Sequence, residues 1–441
     1  MSDGLFDGVL AAGPVAELVG DAEWLRALLD VEAALARAEA DAGLISAAHA
    51  EAIAAQCRAE YYDVASLGAA TTGVGNPAAP LVRALTERVA GAAAGFVHFG
   101  ATSQDIVDTA AMLVARDAVA ALAEDVVACG DLLARLAADH LDTVQAGRTL
   151  LQHAVPVTFG LTAAGWLSGM DSAADRLTAL TFAVQFGGAA GTVAALGERG
   201  PDVVRHLAAR LDLDEPMLPW HTERSRIATL AGALGGVSAT VAKIARDITL
   251  LAQTEVAEAT EQGSGGGSST MPHKRNPIAA VSAAAAAAQA PGLVATLLSA
   301  SAHEHQRAAG SWHAEWRPLR ELLRSTGSAV RWLRTSLERL HVDVDRMRAN
   351  AELTGGYALA ERITSELVTE HGVSRAKAHD AVAACCASGE PLVDALAADV
   401  LVGAHLSAER IAALLDPASY LGSARVFVER ALRHHEARKE H

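Results

Sequence analysis

A glycine-rich stretch that ends in two serines contains the residue types best suited to chemistry in this sequence. It runs from Gly263 to Pro277 as GSGGGSSTMPHKRNP, with Lys274 and Asn276 shortly after the serines. A mobile glycine loop can close over an anion and place a hydroxyl against it. Taken alone, the glycines are more often a flexible linker. The MPHKRNP that follows favours a functional loop, because it adds a positive charge and a hydrogen-bond donor.

Two further segments carry polar groups of the same kind. One reads HFGATSQD from His98 to Asp105, and the other reads GRTLLQ from Gly147 to Gln152. Together with GSSTMPHKRNP, in this order and spacing, they resemble the active-site blocks of the fumarase/aspartase superfamily, which includes fumarase, aspartase, argininosuccinate lyase and adenylosuccinate lyase. The resemblance extends over nearly the whole chain and is weaker outside these blocks.

The resemblance implies roles for individual residues. Ser268 would be the catalytic group that transfers a proton, because the family's catalytic serine is the first of the pair Ser268-Ser269. A free serine is a very weak base, so its alkoxide would need stabilisation by loop amides, by Lys274 and by exclusion of water. The expected substrate-binding residues are His98, Thr102, Ser103, Arg148, Thr149, Gln152, Lys274 and Asn276.

One position departs from the wider pattern of the superfamily. In many of its lyases the second block reads Gly-Arg-Thr-His, and the histidine helps to protonate the departing group, whereas this chain has Leu150 there. A departing hydroxide or amine benefits from a general acid by about a hundredfold or more. A departing carboxylate, whose acid has a pKa near ~4, needs none. Leu150 therefore favours a cycloisomerase, in which an internal carboxylate adds or leaves.

Other segments are also more similar to the cycloisomerase branch than to adenylosuccinate lyase: Gln185–Thr192, Pro219–Thr222 and Trp312–Trp316. The implied activity is closure of 3-carboxy-cis,cis-muconate, a small anionic polycarboxylate, to 4-carboxymuconolactone in the breakdown of aromatic compounds. Adenylosuccinate lyase or another lyase of the superfamily is the nearest alternative. A catalytically silent structural protein is the alternative from another class, and the intact Ser268, Lys274 and Asn276 argue against it.

Simpler structural interpretations exist for several of these residues. A lone His98 before a glycine would by default be structural, and only its place before Thr102-Ser103 reverses that view. Arg148 and Gln152, on a predicted helix-entry loop, could be solvent-facing or capping groups. His303 and His305 lie two apart on a predicted helix and make a poor metal pair. His153 could replace the acid missing at Leu150, but a packed histidine is the more common case.

Composition excludes several classes of protein. With 51% hydrophobic and 20% charged residues, the 441-residue chain can bury enough surface to fold. A net charge of −16 argues against nucleic-acid binding. The four cysteines give neither a zinc spacing nor a disulfide framework, and the N-terminus lacks the features of a signal peptide. We therefore expect a cytoplasmic protein that needs no metal or other cofactor and does not associate with membranes.

The hydrophobic pattern predicts an all-α fold. An amphipathic helix is expected over residues 21–42, and long helices over 106–141, 157–184, 225–261, 279–305 and 319–340. The segment 281–301 is interpreted as a buried soluble helix rather than a membrane span. The predicted domains are an N-terminal helical domain (1–104), a central long-helix bundle (105–350) and a small helical C-terminal domain (351–441). Alanine-rich helices that long need partners, and the resemblance implies a homotetramer whose active sites are shared between chains.

Overall fold

The structure is a computed structural model that describes residues 4–263, 267, 271 and 273–439. Its α-helices, in chain order, are α1 (Asp7–Leu10), α2 (Val15–Leu18), α3 (Asp21–Asp41), α4 (Ala47–Ala54), α5 (Val64–Ala70), α6 (Ala78–Arg88), α7 (Ser103–Asp139), α8 (Phe159–Thr178), α9 (Gly200–Leu211), α10 (Ser225–Leu251), α11 (Ile278–Ala287), α12 (Ala290–Ala300), α13 (Ser311–Arg339), α14 (Val344–Glu352), α15 (Ala360–Thr369), α16 (Arg375–Ala387), α17 (Leu392–Ala398), α18 (Val400–Gly403), α19 (Ala408–Leu414) and α20 (Ala424–Lys439). The strands are β1 (Val144–Thr149), β2 (Gln152–Thr158), β3 (Ala259–Glu261) and β4 (Leu340–Val342). The predicted all-α class is confirmed, with two short antiparallel pairs added to it.

Helix α3 shows how the pattern of apolar residues produces this fold. Its buried side chains include Leu25, Leu28, Leu29 and Leu35, which recur at helical spacing. Acidic residues occupy its first turn, where the helix dipole favours negative charge. The helix ends before Gly43, which has a φ of 73°. The helix predicted for residues 21–42 is therefore confirmed to within one residue.

Four of the predicted long helices differ from their predicted bounds. The helix predicted over residues 157–184 is α8, which begins at Phe159 and ends at Thr178. Helix α10 ends at Leu251, so its 27 residues span about 40 Å. The predicted end at residue 261 is wrong, because the chain turns after Leu251 and continues into β3. The segment predicted as one helix over 279–305 is two helices, since the second begins just before Pro291. Helix α13 begins at Ser311, well before the predicted residue 319, and contains Pro318.

The segment GRTLLQ, residues 147–152, lies on a β-hairpin rather than on the expected helix-entry loop. Strands β1 and β2 pair from Val144 with Thr158 to Thr149 with Gln152. The turn is formed by Leu150 and Leu151, with φ values of 52° and 62°. These values suit the tight turns that favour Asn-Gly, so two leucines here are conformationally costly. Alternating polar and apolar residues within only six positions gave too short a signal to separate a strand from a loop.

By its internal contacts the chain divides into two compact units, and their boundaries fall inside helices α7, α8, α10, α11 and α13. Unit 1 comprises Met1–Val126, Ala173–Lys243 and Ser282–Leu333, and unit 2 comprises Val127–Ser172, Ile244–Val281 and Arg334–His441. Unit 1 contains a core around Ile53 and Leu85, and unit 2 contains a core around Ile363 and Leu396. The three predicted domains remain a prediction.

The apolar helices α10 and α11–α12 also bear on the membrane question. By length and composition alone, Ser225–Leu251 and Ile278–Ala300 could cross a membrane, a test that core helices of soluble proteins also pass. Large apolar side chains on the second segment are partly exposed, with Ile278 at 42%, Val281 at 45% and Leu298 at 52%. The segment 281–301, expected to be a buried soluble helix, is thus only partly buried in the single chain, and its interpretation stays a prediction.

Candidate active site

The first block of polar residues is placed at the N-terminus of the long helix α7. Thr102 directly precedes the helix and Ser103 is its first residue; both are half-buried. Within the described part of the chain, neither hydroxyl has a hydrogen-bond partner. The first amides of a helix and its dipole favour a carboxylate at this point. Thr102 and Ser103 are therefore placed where they could bind an anionic group, as the sequence predicts.

Asp105 holds this helix start against two other segments of unit 1. Its fully buried carboxylate accepts hydrogen bonds from the backbone amides of Thr102, Gly187 and Gly188, each at 2.9 Å. It also lies 2.6 Å from His221 Nε2. Three stretches singled out in the sequence, 98–105, 185–192 and 219–222, therefore meet at one carboxylate.

A buried charge network extends from the same helix. Arg224 contacts Asp108 through Nη1 at 2.7 Å and Glu315 through Nη2 at 2.5 Å. His303 Nε2 lies 3.1 Å from Glu315, and Trp312 donates its indole N–H to Asp108 at 3.0 Å. Burial opposes the charged form of Arg224, but the two carboxylates outweigh it and raise its pKa above the usual value. The predicted helix for His303 and His305 is wrong, because both follow the end of α12.

The sequence analysis assigned no role to Asp108, Arg224 or Glu315. Asp105 and Asp108, three residues apart, interrupt an otherwise apolar stretch of α7, and both are buried. Acidic residues on one face of a buried helix usually have buried cationic partners. That spacing was the available signal, although it does not reveal Arg224 or Glu315, which are far away in the chain.

His98 is paired with a buried glutamate of α3. Its Nδ1 lies 2.7 Å from Glu32 Oε1, and its backbone has a φ of 60°. Burial lowers the pKa of His98, but the charge and hydrogen bond of Glu32 together raise it above its usual value. Burial and the charge of Glu32 raise the pKa of Glu39 to about 9. Glu39 is therefore neutral near pH 7, whereas Glu32 forms a hydrogen-bonded pair with His98.

This pair leads to a pH-dependent prediction. Glu32→Gln should lower the pKa of His98, because burial remains while the stabilising charge is lost. If the charged His98 helps to bind an anionic substrate, the alkaline limb of the kcat/KM profile should move to lower pH. The contribution of the pair to stability, largest below pH 6.5 and lost as pH rises through the pKa of folded His98, should also disappear. Activity profiles of wild type and Glu32→Gln test this, with the exposed Glu51→Gln as control; an unmoved limb would contradict it.

In unit 2, Arg148 lies on β1 and forms a two-point contact with buried Glu258. Its Nη1 and Nη2 lie 3.0 and 2.5 Å from the two carboxylate oxygens. Gln145 and Asn350 donate to the same carboxylate at 3.2 and 2.8 Å. The positive charge of Arg148 is thus largely balanced within the chain. The remaining N–H groups of Arg148 could donate hydrogen bonds to a substrate.

Thr149 and Gln152, the other predicted binding residues of the GRTLLQ segment, are exposed at the end of the hairpin. Thr149 and Gln152 face each other across the turn, and the Gln152 amide donates to the carbonyl of Leu151 at 3.2 Å. Leu150, between them, is 97% exposed. The tip of the hairpin therefore has no acid within it, in agreement with the sequence at this point.

The serine loop is held at its base by Glu261 at the end of β3. The Glu261 carboxylate accepts hydrogen bonds from the amides of Ala279 and Ala280, at the start of α11, and from Ser336 at 2.6 Å. Within the loop, Gly267 and Arg275 form an antiparallel bridge. One carboxylate therefore fixes the start of the helix that follows the loop to the strand that precedes it.

The structure describes some of the predicted residues of the serine loop and not others. Lys274 is exposed and Asn276 is half-buried on the return arm of the loop. Ser268 and Ser269 lie outside the described residues. Thus unit 1 contains His98, Thr102 and Ser103, while unit 2 contains Arg148, Thr149, Gln152, Lys274 and Asn276. Among the described residues, no group of His, Cys, Asp or Glu side chains is arranged to hold a metal ion.

Comparison with family models defines the class of protein. The model of a lyase family matches residues 16–292, and a model of the adenylosuccinate lyase C-terminus matches residues 356–431. The chain belongs to this lyase family. The superfamily resemblance of the sequence is thereby confirmed.

Individual relatives are more specific. A 3-carboxy-cis,cis-muconate cycloisomerase of Bradyrhizobium diazoefficiens is 46% identical, with 96% of each chain covered. The crystal structure of the 3-carboxy-cis,cis-muconate lactonizing enzyme of Pseudomonas putida superposes with a TM-score of 0.93 at 42% identity, covering 98% of this chain and 99% of that one. A nitrosuccinate lyase of Streptomyces davaonensis is 43% identical, with 98% of this chain and 95% of the relative covered.

Proposed function

We propose that this protein is a cycloisomerase that converts 3-carboxy-cis,cis-muconate to 4-carboxymuconolactone. The observation that carries the proposal is the tip of the β1–β2 hairpin, where no titratable side chain lies between Thr149 and Gln152. Such a tip suits a reaction in which a carboxylate adds or leaves without help from an acid. The similarity to cycloisomerases over nearly the whole chain supports the same reaction.

The proposed reaction is an intramolecular addition. A substrate carboxylate oxygen forms a bond to the β-carbon of an unsaturated acid, and the π electrons move to the α-carbon and into its carboxylate. The hydroxyl of Ser268 then gives its proton to the α-carbon. The resulting alkoxide recovers a proton from solvent, so the protein is unchanged at the end of the cycle.

The excess negative charge of the intermediate must be stabilised. The hydroxyls of Thr102 and Ser103 and the start of α7 provide donors for one carboxylate, and Lys274 provides a positive charge. His98, whose pKa is raised above its usual value by Glu32, adds a second group that can carry a positive charge. Preorganised donors and charges of this kind contribute most where charge develops in the transition state. Arg148 contributes less net charge, because Glu258 balances it.

A substrate panel tests the proposed function. Purified protein should convert 3-carboxy-cis,cis-muconate in an ultraviolet assay and should cleave adenylosuccinate and argininosuccinate negligibly. Nitrosuccinate belongs in the panel, because a relative is named for it and nitrite, like a carboxylate, leaves without an acid. Dialysis against EDTA should leave the rate unchanged. Faster turnover of any other substrate would refute the assignment.

We also propose that the protein is a homotetramer whose active sites are completed by more than one chain. The exposed apolar side chains of α11 and α12 support this, because the segment is apolar on nearly all sides and its alanines allow close helix packing. Light scattering should report a tetramer, and dilution that dissociates it should abolish activity. A fully active monomer at assay concentration would contradict both parts of this proposal.

A reducing compartment suits the thiol groups of the chain. Cys57, Cys129, Cys385 and Cys386 form no disulfide. Disulfides persist mainly in oxidising compartments, so four cysteines outside disulfides favour the cytoplasm as the place where the enzyme works.

A further inference from the structure

His221 contacts the first turn of helix α7 at two points. Its ring nitrogen Nε2 lies 2.6 Å from Oδ1 of Asp105, and its carbonyl accepts a hydrogen bond from Gln104 Nε2 at 2.8 Å. The side chain of His221 is 4% exposed and that of Asp105 is 0% exposed. Both partners directly follow Thr102-Ser103 in the sequence. The position of His221 is therefore linked to the turn that carries the proposed carboxylate-binding hydroxyls.

The two oxygens of the Asp105 carboxylate have different partners. Oδ2 accepts the backbone amide of Thr102 at 2.9 Å. Oδ1 accepts the amide of Gly187 at 2.9 Å and the side-chain amide of Gln185 at 3.2 Å, and it faces Nε2 of His221 at the shortest distance. Because a carboxylate is planar and rigid, the contacts that hold Oδ1 also determine where Oδ2 meets the amide of Thr102.

The imidazole of His221 also packs against the turn at Gly187. A Cβ atom placed on Gly187 would lie 2.8 Å from Cε1 of His221 and 2.8 Å from Cβ of Pro219. Only glycine fits at such distances, so the ring lies directly on the backbone of this turn. The amide of Gly187 donates to the same carboxylate oxygen that faces the ring. The ring and the turn therefore hold Oδ1 together.

We propose that His221 is a positioning residue for substrate binding. Through Asp105 it places the hydroxyls of Thr102 and Ser103 where they meet a substrate carboxylate at the start of α7. The proposal rests on the proposed function, since it takes this helix start as the place where a carboxylate binds. A carboxylate held there is present in the ground state and in the transition state alike. Loss of the positioning should therefore weaken binding and leave the chemical step nearly unchanged.

Two substitutions of His221 that differ in the position of one nitrogen test the proposal. The side-chain nitrogen of glutamine lies about as far from the backbone as Nε2 of histidine, whereas that of asparagine corresponds to Nδ1. His221→Gln should keep the hydrogen bond to Asp105 and a nearly unchanged KM for 3-carboxy-cis,cis-muconate. His221→Asn should raise KM about tenfold, with kcat within about twofold of wild type. Equal KM values for the two variants, or a loss confined to kcat, would overturn the proposal.

Binding of tricarballylate, a saturated tricarboxylate that cannot undergo the addition, separates this proposal from the assignment of the reaction. Calorimetric titration of the intact oligomer should give a dissociation constant that is about tenfold higher in His221→Asn and nearly unchanged in His221→Gln. If this pattern is found but wild type does not convert 3-carboxy-cis,cis-muconate, the assigned reaction fails and the positioning role stands. Equal dissociation constants in wild type and His221→Asn would refute the positioning role, as would a wild type that binds no tricarballylate.

Ser238→Ala is the matched control for lost stability. The buried hydroxyl of Ser238 hydrogen-bonds to that of Thr326 at 3.0 Å in the same unit, away from the hydrogen bonds of Asp105. Its loss should lower the urea unfolding midpoint, as His221→Asn does, and leave KM unchanged. A raised KM in Ser238→Ala would show that lost stability alone weakens binding, and the positioning role of His221 would then be wrong.

Discussion

Ser268→Ala is expected to lower kcat by on the order of a hundredfold or more, with a smaller change in KM. The hydroxyl is proposed to give its proton to the α-carbon in the step that limits turnover, and alanine has no proton to give. Substrate should still bind, because the groups that hold its carboxylates remain in place. Steady-state kinetics with 3-carboxy-cis,cis-muconate provide the measurement, with tetramer formation checked by light scattering.

Two further variants separate proton transfer from loop structure. Ser269→Ala changes the neighbouring hydroxyl and should be milder, although it alters the loop to a similar extent. Lys274→Ala removes a charge that holds the substrate in both ground and transition states, so KM should rise, with an additional fall in kcat if the lysine also stabilises the intermediate. Near-wild-type turnover of Ser268→Ala would make the serine a loop residue. His98 or His153 would then be the better candidate for moving the proton.

The fold was largely predictable from the sequence because helical periodicity is a local signal. Helix α3 was placed to within one residue by its apolar positions alone. The same signal failed at the end of α10. The residue types from Ala252 to Ala257 are compatible with a helix, but the helix has already ended and Ala257 has a φ of 53°. It also failed in the hairpin, since Leu150 and Leu151 occupy turn positions that sequence preferences assign to asparagine and glycine. Tertiary contacts determine both features, and local patterns do not contain them.

The candidate site was predictable where its residues are adjacent in the chain and less so where they are distant. The motif of Thr102-Ser103 predicted a carboxylate-binding hydroxyl pair, and the structure places both hydroxyls at a helix start. The partners of these motifs were missed: Glu32 beside His98 is 66 residues away, and Glu258 beside Arg148 is 110 residues away. A charged residue in an amphipathic helix usually faces solvent, so Glu32 gave no sign of its burial.

Burial should also determine how much each ion pair in unit 1 contributes to the free energy of unfolding. Arg224 and Arg205 both contact carboxylates at similar distances, 2.7 Å to Asp108 and 2.6 Å to Asp202. The side chain of Arg224 is 1% exposed, whereas that of Arg205 is 57% exposed. Replacing either arginine with methionine removes one charge and keeps a side chain of similar length. The two substitutions therefore compare a buried arginine that is shared by two carboxylates with an exposed arginine that has one carboxylate partner.

Arg224→Met is expected to lower the free energy of unfolding by about 3–5 kcal/mol, because it leaves Asp108 and Glu315 buried without their shared cation. Arg205→Met should cost ~1 kcal/mol or less, since water replaces its exposed partner. Glu315→Gln should fall between the two, because Arg224 then keeps Asp108 as a single counter-charge and the amide oxygen can still accept a hydrogen bond. Urea unfolding midpoints at one fixed chain concentration measure all three variants. If Arg224→Met does not fold, Glu315→Gln against Arg205→Met still tests the order. Equal midpoints for Arg224→Met and Arg205→Met would contradict the prediction that burial makes the Arg224 ion pairs the more important ones for stability.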